Sequence, residues 1–396
     1  MKKIAIVSYD VMPLPPVKGG AVENLIHFLV ENNEVEKKAE LTVFSVYDPD
    51  ALKESKNYKN TEFVHIHKRE KMSAITSFTN RVFKKLRFGA AFQVHPFLID
   101  VTKVINQRDF DYVLVENRAE YVPYLRKKVK SKILLHMHND YLCKSYHLAD
   151  PCLKGCDQVF AVSNYIKDRI LTIDPKAKHV EVLRNVVDVE RFMQVTPEER
   201  NRIRDGYNIQ STDVVFAYFG RITPSKGVRE LVQAFLQLTK RHSNVKLLVV
   251  GAKWFGVNTE NAFMQELREL SQEVEDKIIF TGYVDYNSIA QQYACADVVV
   301  VPSVGGEASP LVLLEAMAAG KAQIVSDSGG IPESVDDSCA IEVPRGDGFV
   351  DGLAAAMDRL TSDRALLESM GQSGKNRSHM YDNKQYLNSL LQLLEE

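Results

Sequence analysis

The chain is poor in cysteine and pairs none of it by spacing. Five cysteines in 396 residues (Cys143, Cys152, Cys156, Cys295, Cys339) are an odd number without a C-x-x-C pair, which argues against a disulfide framework and for a reduced, cytoplasmic setting. No apolar run reaches the roughly 18 residues of a membrane span. The opening MKKIAIVSYD has too short an apolar stretch for a signal peptide and reads instead as a first strand. There is no G-x-G-x-x-G, so no nicotinamide or flavin cofactor is indicated. Low-complexity tracts and internal repeats are missing as well. A net charge of −2 gives no reason to expect a nucleic-acid partner.

That small net charge hides an asymmetry. Residues 1–188 carry 30 Lys+Arg against 23 Asp+Glu, while the remainder carries 20 against 29. The densest basic stretch is Lys68–Arg87, with seven basic residues and one acid. At helical spacing Phe78, Val82, Phe83 and Leu86 form a stripe flanked by Arg81, Lys84, Lys85 and Arg87. The pattern suits either an ordinary amphipathic helix or one lying on an anionic membrane surface.

Length and pattern both indicate two domains. Strands are expected at 3–9, 41–46, 62–66, 111–115, 132–137, 157–162 and 179–184, then at 214–219, 245–250, 277–281, 297–301, 322–326 and 340–343. Their continuous Val/Ile/Leu runs read as parallel strands buried on both faces, with helices between most of them. The fold class is therefore α/β, as two Rossmann-like parallel-sheet domains over residues 1–188 and 189–375. The polar stretch from Asp188 to Thr212 marks the boundary. A last helix within 376–396, with Tyr386, Leu387, Leu390, Leu391 and Leu394 on one side, is left over.

The second half carries the chemistry. Its strand at 297–301 runs into EASPLVLLE, Glu307–Glu315. Ser309 suits an N-cap and Pro310 a first helical position, with Gly320 as the stop. Free N–H groups of Leu311, Val312 and Leu313 would then face the crevice beyond the strand end, an anion site. Glu307 and Glu315 bracket it and can accept hydrogen bonds from hydroxyls. A phosphate site between two hydroxyl acceptors suits a nucleotide sugar. After the strand at 214–219, Gly220-Arg221-Ile222-Thr223-Pro224-Ser225-Lys226-Gly227 adds Arg and Lys to a glycine-bounded loop, the composition of a polyphosphate clamp. In the first half, Gly19-Gly20 follows the first strand and opens a helix, where backbone can approach a ligand. His136 and His138 lie on one face at a strand end; a zinc reading needs a third ligand that the sequence does not place. Asp48/Asp50 and Asp109/Asp111 are Asp-x-Asp pairs bordering ordinary strands.

These segments resemble the glycosyltransferases of the GT-B fold, and glycosyltransferase family 4 in particular. The family signature is met by Pro302, Ser303, Glu307, Pro310, Leu311, Glu315, Ala316, Met317 and Gly320, then by Gly329, Gly330, Pro332 and Glu333. Ala308 and Ser309 depart from it. The resemblance implies two domains facing a cleft, with the terminal helix crossing back to the first. It implies retaining, metal-independent transfer from a nucleotide-diphosphate sugar, UDP by default, to a glycan or lipid-linked acceptor of the cell envelope, capsule or exopolysaccharide. Arg221 and Lys226 would neutralise the diphosphate, Glu307 would hold sugar hydroxyls and Glu315 ribose hydroxyls. Ser309, Leu311 and Val312 would line the donor site. Gly19 and Gly20 match the family's glycine-pair opening, which touches donor phosphate and acceptor. His138, followed by Asn139-Asp140, matches a histidine that touches the donor sugar. Asn185, Asp188 and Phe192 resemble a hinge turn, with Val186 in place of its glycine. A nucleotide-sugar epimerase and a non-catalytic nucleotide-sugar-binding protein are the competing readings.

Overall fold

The computed structural model describes residues 1–67, 95–252 and 262–395. The basic stretch Lys68–Arg87 lies outside the described residues. The chain divides into two compact units: Met1–Arg184 with Lys384–Glu396, and Asn185–Asn383.

The first unit is built on a seven-stranded sheet in the order β3-β2-β1-β4-β5-β6-β7. Its strands are β1 (Lys2–Val7), β2 (Ala39–Val46), β3 (Thr61–Ile66), β4 (Tyr112–Glu116), β5 (Lys132–Met137), β6 (Gln158–Ala161) and β7 (Val180–Val182), all paired in parallel. The first crossover is the Ala21–Glu36 helix, which starts directly after Gly20.

The second unit holds a six-stranded parallel sheet, β10-β9-β8-β11-β12-β13. Here β8 is Val214–Phe219, β9 Val245–Val250, β10 Ile278–Gly282, β11 Val298–Val301, β12 Ala322–Ser326 and β13 Ala340–Val343. Alternate residues of β8 enter two different cores. Val214, Phe216 and Tyr218 pack on one face and Val215, Ala217 and Phe219 on the other. A strand buried on both sides has no polar face to alternate with, hence the unbroken apolar runs.

Each sheet reverses its winding once, at β1/β4 and at β8/β11. At such a point neighbouring crossovers leave in opposite directions, and the loops beyond the strand ends open a crevice. The loop after β8 and the loop after β11 are the two that the sequence marks as chemically loaded.

The polar stretch 188–212 is not a linker. It folds into the helices Val189–Met193 and Pro197–Gly206. Asp188 caps the first through Arg191 N–H, and Thr196 and Glu199 form a reciprocal capping box on the second. Arg200 and Arg204 reach Asp297, just before β11, at 2.8 and 3.3 Å. Part of the charged cluster read as a boundary is thus an ion network, buried at Arg204 and Asp297, that fastens the Pro197–Gly206 helix to the sheet. The division falls at Arg184/Asn185 instead, and residues 376–383 stay with the second unit.

The Tyr386–Leu393 helix belongs to the first unit and buries Tyr386, Leu387 and Leu390. Asn32 Oδ1 accepts from Leu387 N–H at 3.2 Å, and Lys38 Nζ donates to Asn388 at 2.6 Å. Leu387 is fully buried. Its truncation to Ala is expected to cost about 2–5 kcal/mol, read as a lowered urea midpoint; an unchanged midpoint contradicts this packing.

Candidate active site

In the second unit, the turn after β8 is set by its glycines. Gly227 sits at φ +70, and a Cβ there would lie 1.8 Å from the Pro302 carbonyl oxygen. Only glycine lets the basic loop lie directly against the loop that follows β11. Ser225 O accepts from Val304 N–H and Gly305 N–H at 3.1 and 2.9 Å. Lys226 Nζ then reaches Glu307 Oε1 at 2.6 Å, and Ser303 Oγ donates to the same oxygen at 2.5 Å. A bare carboxylate would repel a phosphate. With an ammonium and a hydroxyl on one oxygen, Glu307 becomes locally neutral and keeps its other oxygen as an acceptor.

The backbone of Glu307 is fixed from the other side. Gly330 N–H donates to its carbonyl at 2.8 Å, and Gly329 at φ +58 approaches so closely that a Cβ would lie 2.0 Å from that oxygen. Ser326 Oγ donates to Ser303 O at 2.7 Å, and Ser328 Oγ bonds Gly305 O. The Gly-Gly-x-Pro-Glu turn after β12 therefore acts as a mould for the Glu307 loop. Arg221 is exposed on the same turn as Lys226, its carbonyl accepting from Tyr218 OH at 2.7 Å.

The helix after Glu307 starts one residue later than expected. It spans Leu311–Ala318, with extended Pro310 as N-cap and no side-chain cap. Ser309 does not cap it. Its carbonyl instead accepts from Asn185 Nδ2 at 2.7 Å, so the hinge-like asparagine steadies the approach to the helix. Leu313 N–H is not free either, since it donates to Pro310 O at 3.2 Å. Leu311 and Val312 remain as the first N–H groups of the helix, where no intrahelical acceptor exists. Glu315 is buried, and Tyr293 OH donates to its Oε2 at 2.7 Å. Tyr293 is itself held flat on Phe219 at 3.7 Å between ring centroids. Burial raises the Glu315 carboxyl above its ordinary value, against the Tyr293 hydrogen bond.

In the first unit, Gly19 and Gly20 have φ +73 and +121. A Cβ on Gly20 would lie 2.1 Å from Glu23 Oε2, so the helix start that sequence reasoning opened to anions already carries a buried carboxyl. Burial pushes Glu23 up from 4.5 to about 7, with Glu116 adding to the rise. His138 Nε2 lies 2.8 Å from Glu116 Oε2, and His136 Nδ1 lies 3.2 Å from the same oxygen. Glu116, at the end of β4, supplies the third ligand that the sequence did not place: all three ligand atoms lie within 4.8 Å of one another. Both rings already meet one carboxylate oxygen at hydrogen-bond distance, so the cluster is held together by hydrogen bonds as it stands. Asp48 and Asp111 have ordinary structural roles, capping the Pro49–Glu54 helix and accepting from Lys3 N–H.

Sequence reasoning missed Tyr293, Glu23 and Glu116, and gave Ser303 a place in the signature but no contact with Glu307. A lone acid closing the apolar run YVLVE was the signal for Glu116. Tyr293 offered none, because only the fold brings it to Glu315.

Residues 199–377 match the family model Glycosyl transferases group 1. The second unit therefore carries a glycosyltransferase domain of that group. The chain is 26% identical to the putative glycosyltransferase YtcC of Bacillus subtilis, over 94% of this chain and 86% of the relative. It is 27% identical to lipopolysaccharide 1,2-N-acetylglucosaminetransferase of Salmonella typhimurium, over 85% and 83%. Among solved structures, Anabaena HepE in complex with UDP and glucose superimposes at a TM-score of 0.76 with 18% identity, each chain covered completely. The fold is GT-B.

The Glu23 carboxyl gives a signed pH effect. A folded pKa of about 7 against 4.5 means that the folded state holds the proton more tightly. The stability is full below about 4.5 and is lost as pH rises through about 7. Thermal midpoints should fall across that window in the wild type, and Glu23→Gln should flatten the fall. An equally steep profile in both proteins contradicts the burial described for Glu23.

Proposed function

We propose that this enzyme is a retaining family 4 glycosyltransferase that moves a sugar from a UDP-sugar to a glycan or lipid-linked acceptor. The reading places it in cell-envelope, capsule or exopolysaccharide synthesis, in the cytoplasm at the inner face of the plasma membrane. The observation that carries it is the Lys226–Glu307 contact at the β8/β11 winding reversal, beside the start of the Leu311–Ala318 helix. This is a cation, a hydroxyl acceptor and backbone N–H groups in one crevice, the combination a sugar diphosphate requires.

Each residue then has a task. Arg221 and Lys226 stabilise the leaving diphosphate, an electrostatic role that needs no divalent metal. An arriving phosphate shares the Lys226 ammonium, while Glu307 accepts from sugar hydroxyls. Leu311 and Val312 N–H groups, next to Ser309, add the helix-end contribution. Glu315 accepts from ribose hydroxyls, its free oxygen aimed by Tyr293. In the first unit, Gly19-Gly20 and His138 serve donor phosphate, acceptor and donor sugar. No side chain is assigned as a covalent nucleophile, so the acceptor attacks from the face that the diphosphate leaves. The basic composition of Lys68–Arg87 supports a contact with anionic lipid.

Two experiments test this reading. Thermal stability is measured with UDP, GDP, dTDP and ADP on wild type and Glu315→Ala. A nucleotide at about 100 times its dissociation constant adds roughly 2.7 kcal/mol. UDP is expected to stabilise wild type and to do much less for the variant; equal responses remove the ribose role. Glu307→Ala is expected to abolish sugar transfer while keeping the far-UV spectrum, and near-normal turnover would remove its role.

A further inference from the structure

Glu116 and His136 are opposite one another in the β4/β5 ladder, and His138 lies two residues further on. The three side chains form a closed knot at the carboxyl end of the first sheet. Glu116 is 2% exposed as a side chain, His136 1% and His138 7%. An ionised carboxylate can only accept. Both ring atoms that face it, His136 Nδ1 and His138 Nε2, must therefore carry hydrogen.

That condition fixes two tautomers. His136 is left with Nε2, which is buried without a partner, so its ring is enclosed and serves the knot alone. His138 is left with Nδ1 as its acceptor atom. Its backbone is pinned as well: Asn117 Oδ1 accepts from His138 N–H at 3.1 Å and from Asn139 Nδ2 at 2.9 Å. Asn117 itself sits at φ +56, a left-handed position that asparagine tolerates.

We propose that Glu116 is a positioning residue: its carboxylate holds His138 in the Nε2–H form, so that Nδ1 accepts a hydrogen bond from a hydroxyl of the donor sugar. This rests on the reading of His138 as a substrate contact. The opposite tautomer would present an N–H there and would have to find an acceptor instead. An imidazolium would add a charge beside the developing sugar cation.

The surrounding groups favour the neutral ring. Burial and, after it, the neighbouring His136 lower His138 to about 4, against the pull of Glu116. Burial would raise Glu116, but His136 and the hydrogen bonds from both rings outweigh it and hold the carboxyl low. The other titratable groups bearing on the knot are Glu23, from the Ala21–Glu36 helix, and Tyr386, from the C-terminal helix. Neither is a fixed cation that could replace Glu116.

The test begins with the full-length wild type. In 15N-histidine-labelled protein near pH 7, long-range 1H–15N spectra should show His138 as the Nε2–H tautomer; the Nδ1–H form overturns the proposal without any substitution. Kinetics then separate the two readings. Glu116→Gln should mix the His138 tautomers and lower turnover by roughly 10- to 100-fold, the effect of losing one hydrogen bond to a charged group, with the stabilisation by UDP retained. Glu116→Asp should recover part of the loss. Combining Glu116→Gln with His138→Ala should add nothing to His138→Ala alone. Full turnover in His138→Ala overturns the substrate contact itself. A crippled His138→Ala beside a fully active Glu116→Gln leaves that contact standing and overturns the role of Glu116. Uptake of one equivalent of Zn²⁺ by wild type, lost in Glu116→Gln, also overturns it, because Glu116 would then be a metal ligand.

Discussion

The second unit of this enzyme depends on the close approach of two loops. Because the second sheet reverses its winding between β8 and β11, the loops leaving those strands have no helix between them. Gly227 allows backbone contact with Pro302, and Gly329 allows it with Glu307. Each contact would be blocked by a single methyl group. The ion pair between Lys226 and Glu307 is a consequence: once the backbones touch, a lysine on one loop and a glutamate on the other fall within 2.6 Å. Glycine thus determines where the charges are, and the charges determine what can bind.

Much of this was legible in the sequence, for reasons that differ from part to part. Thirteen strands were readable because parallel strands buried on both faces must be apolar throughout. The placing of Glu307 and Glu315 about the start of the Leu311–Ala318 helix was readable because one continuous segment carries all three. The cap was misread at Ser309. Its residue type suits an N-cap, but Asn185 fastens the Ser309 carbonyl and the helix begins after Pro310. The polar stretch 188–212 was misread as a boundary because composition does not reveal partners: Arg200 and Arg204 look solvated until β11 brings Asp297 to them. The Glu116 knot joins two strands and two sequence neighbourhoods, so spacing alone supplied only the histidine half.

Buried carboxyls recur, and each is handled differently. Glu307 shares an oxygen with an ammonium and a hydroxyl. Glu315 receives a tyrosine hydroxyl and is raised. Glu116 collects two imidazoles, and Glu23 moves towards the neutral form. Burying a charge without a partner is costly, and these four show the available remedies: pairing with a cation, a neutral donor, several donors, or a shift towards protonation. The same environments separate the groups suited to accept from hydroxyls from those suited to stay neutral.

The second unit begins and ends at one place. Val187 N–H donates to Tyr381 O at 2.8 Å, and Asn383 N–H to Val187 O at 3.0 Å, so its entering and leaving segments run side by side. In lineage terms this is the geometry of an insertion. Residues 185–383 can be regarded as a nested module, spliced between the last strand of the first sheet and the helix that completes it. Neighbouring ends are what make such a splice tolerable to the host fold. They also make residues 185–383 a self-contained unit of exchange, which the first unit can host without redesign of its own core.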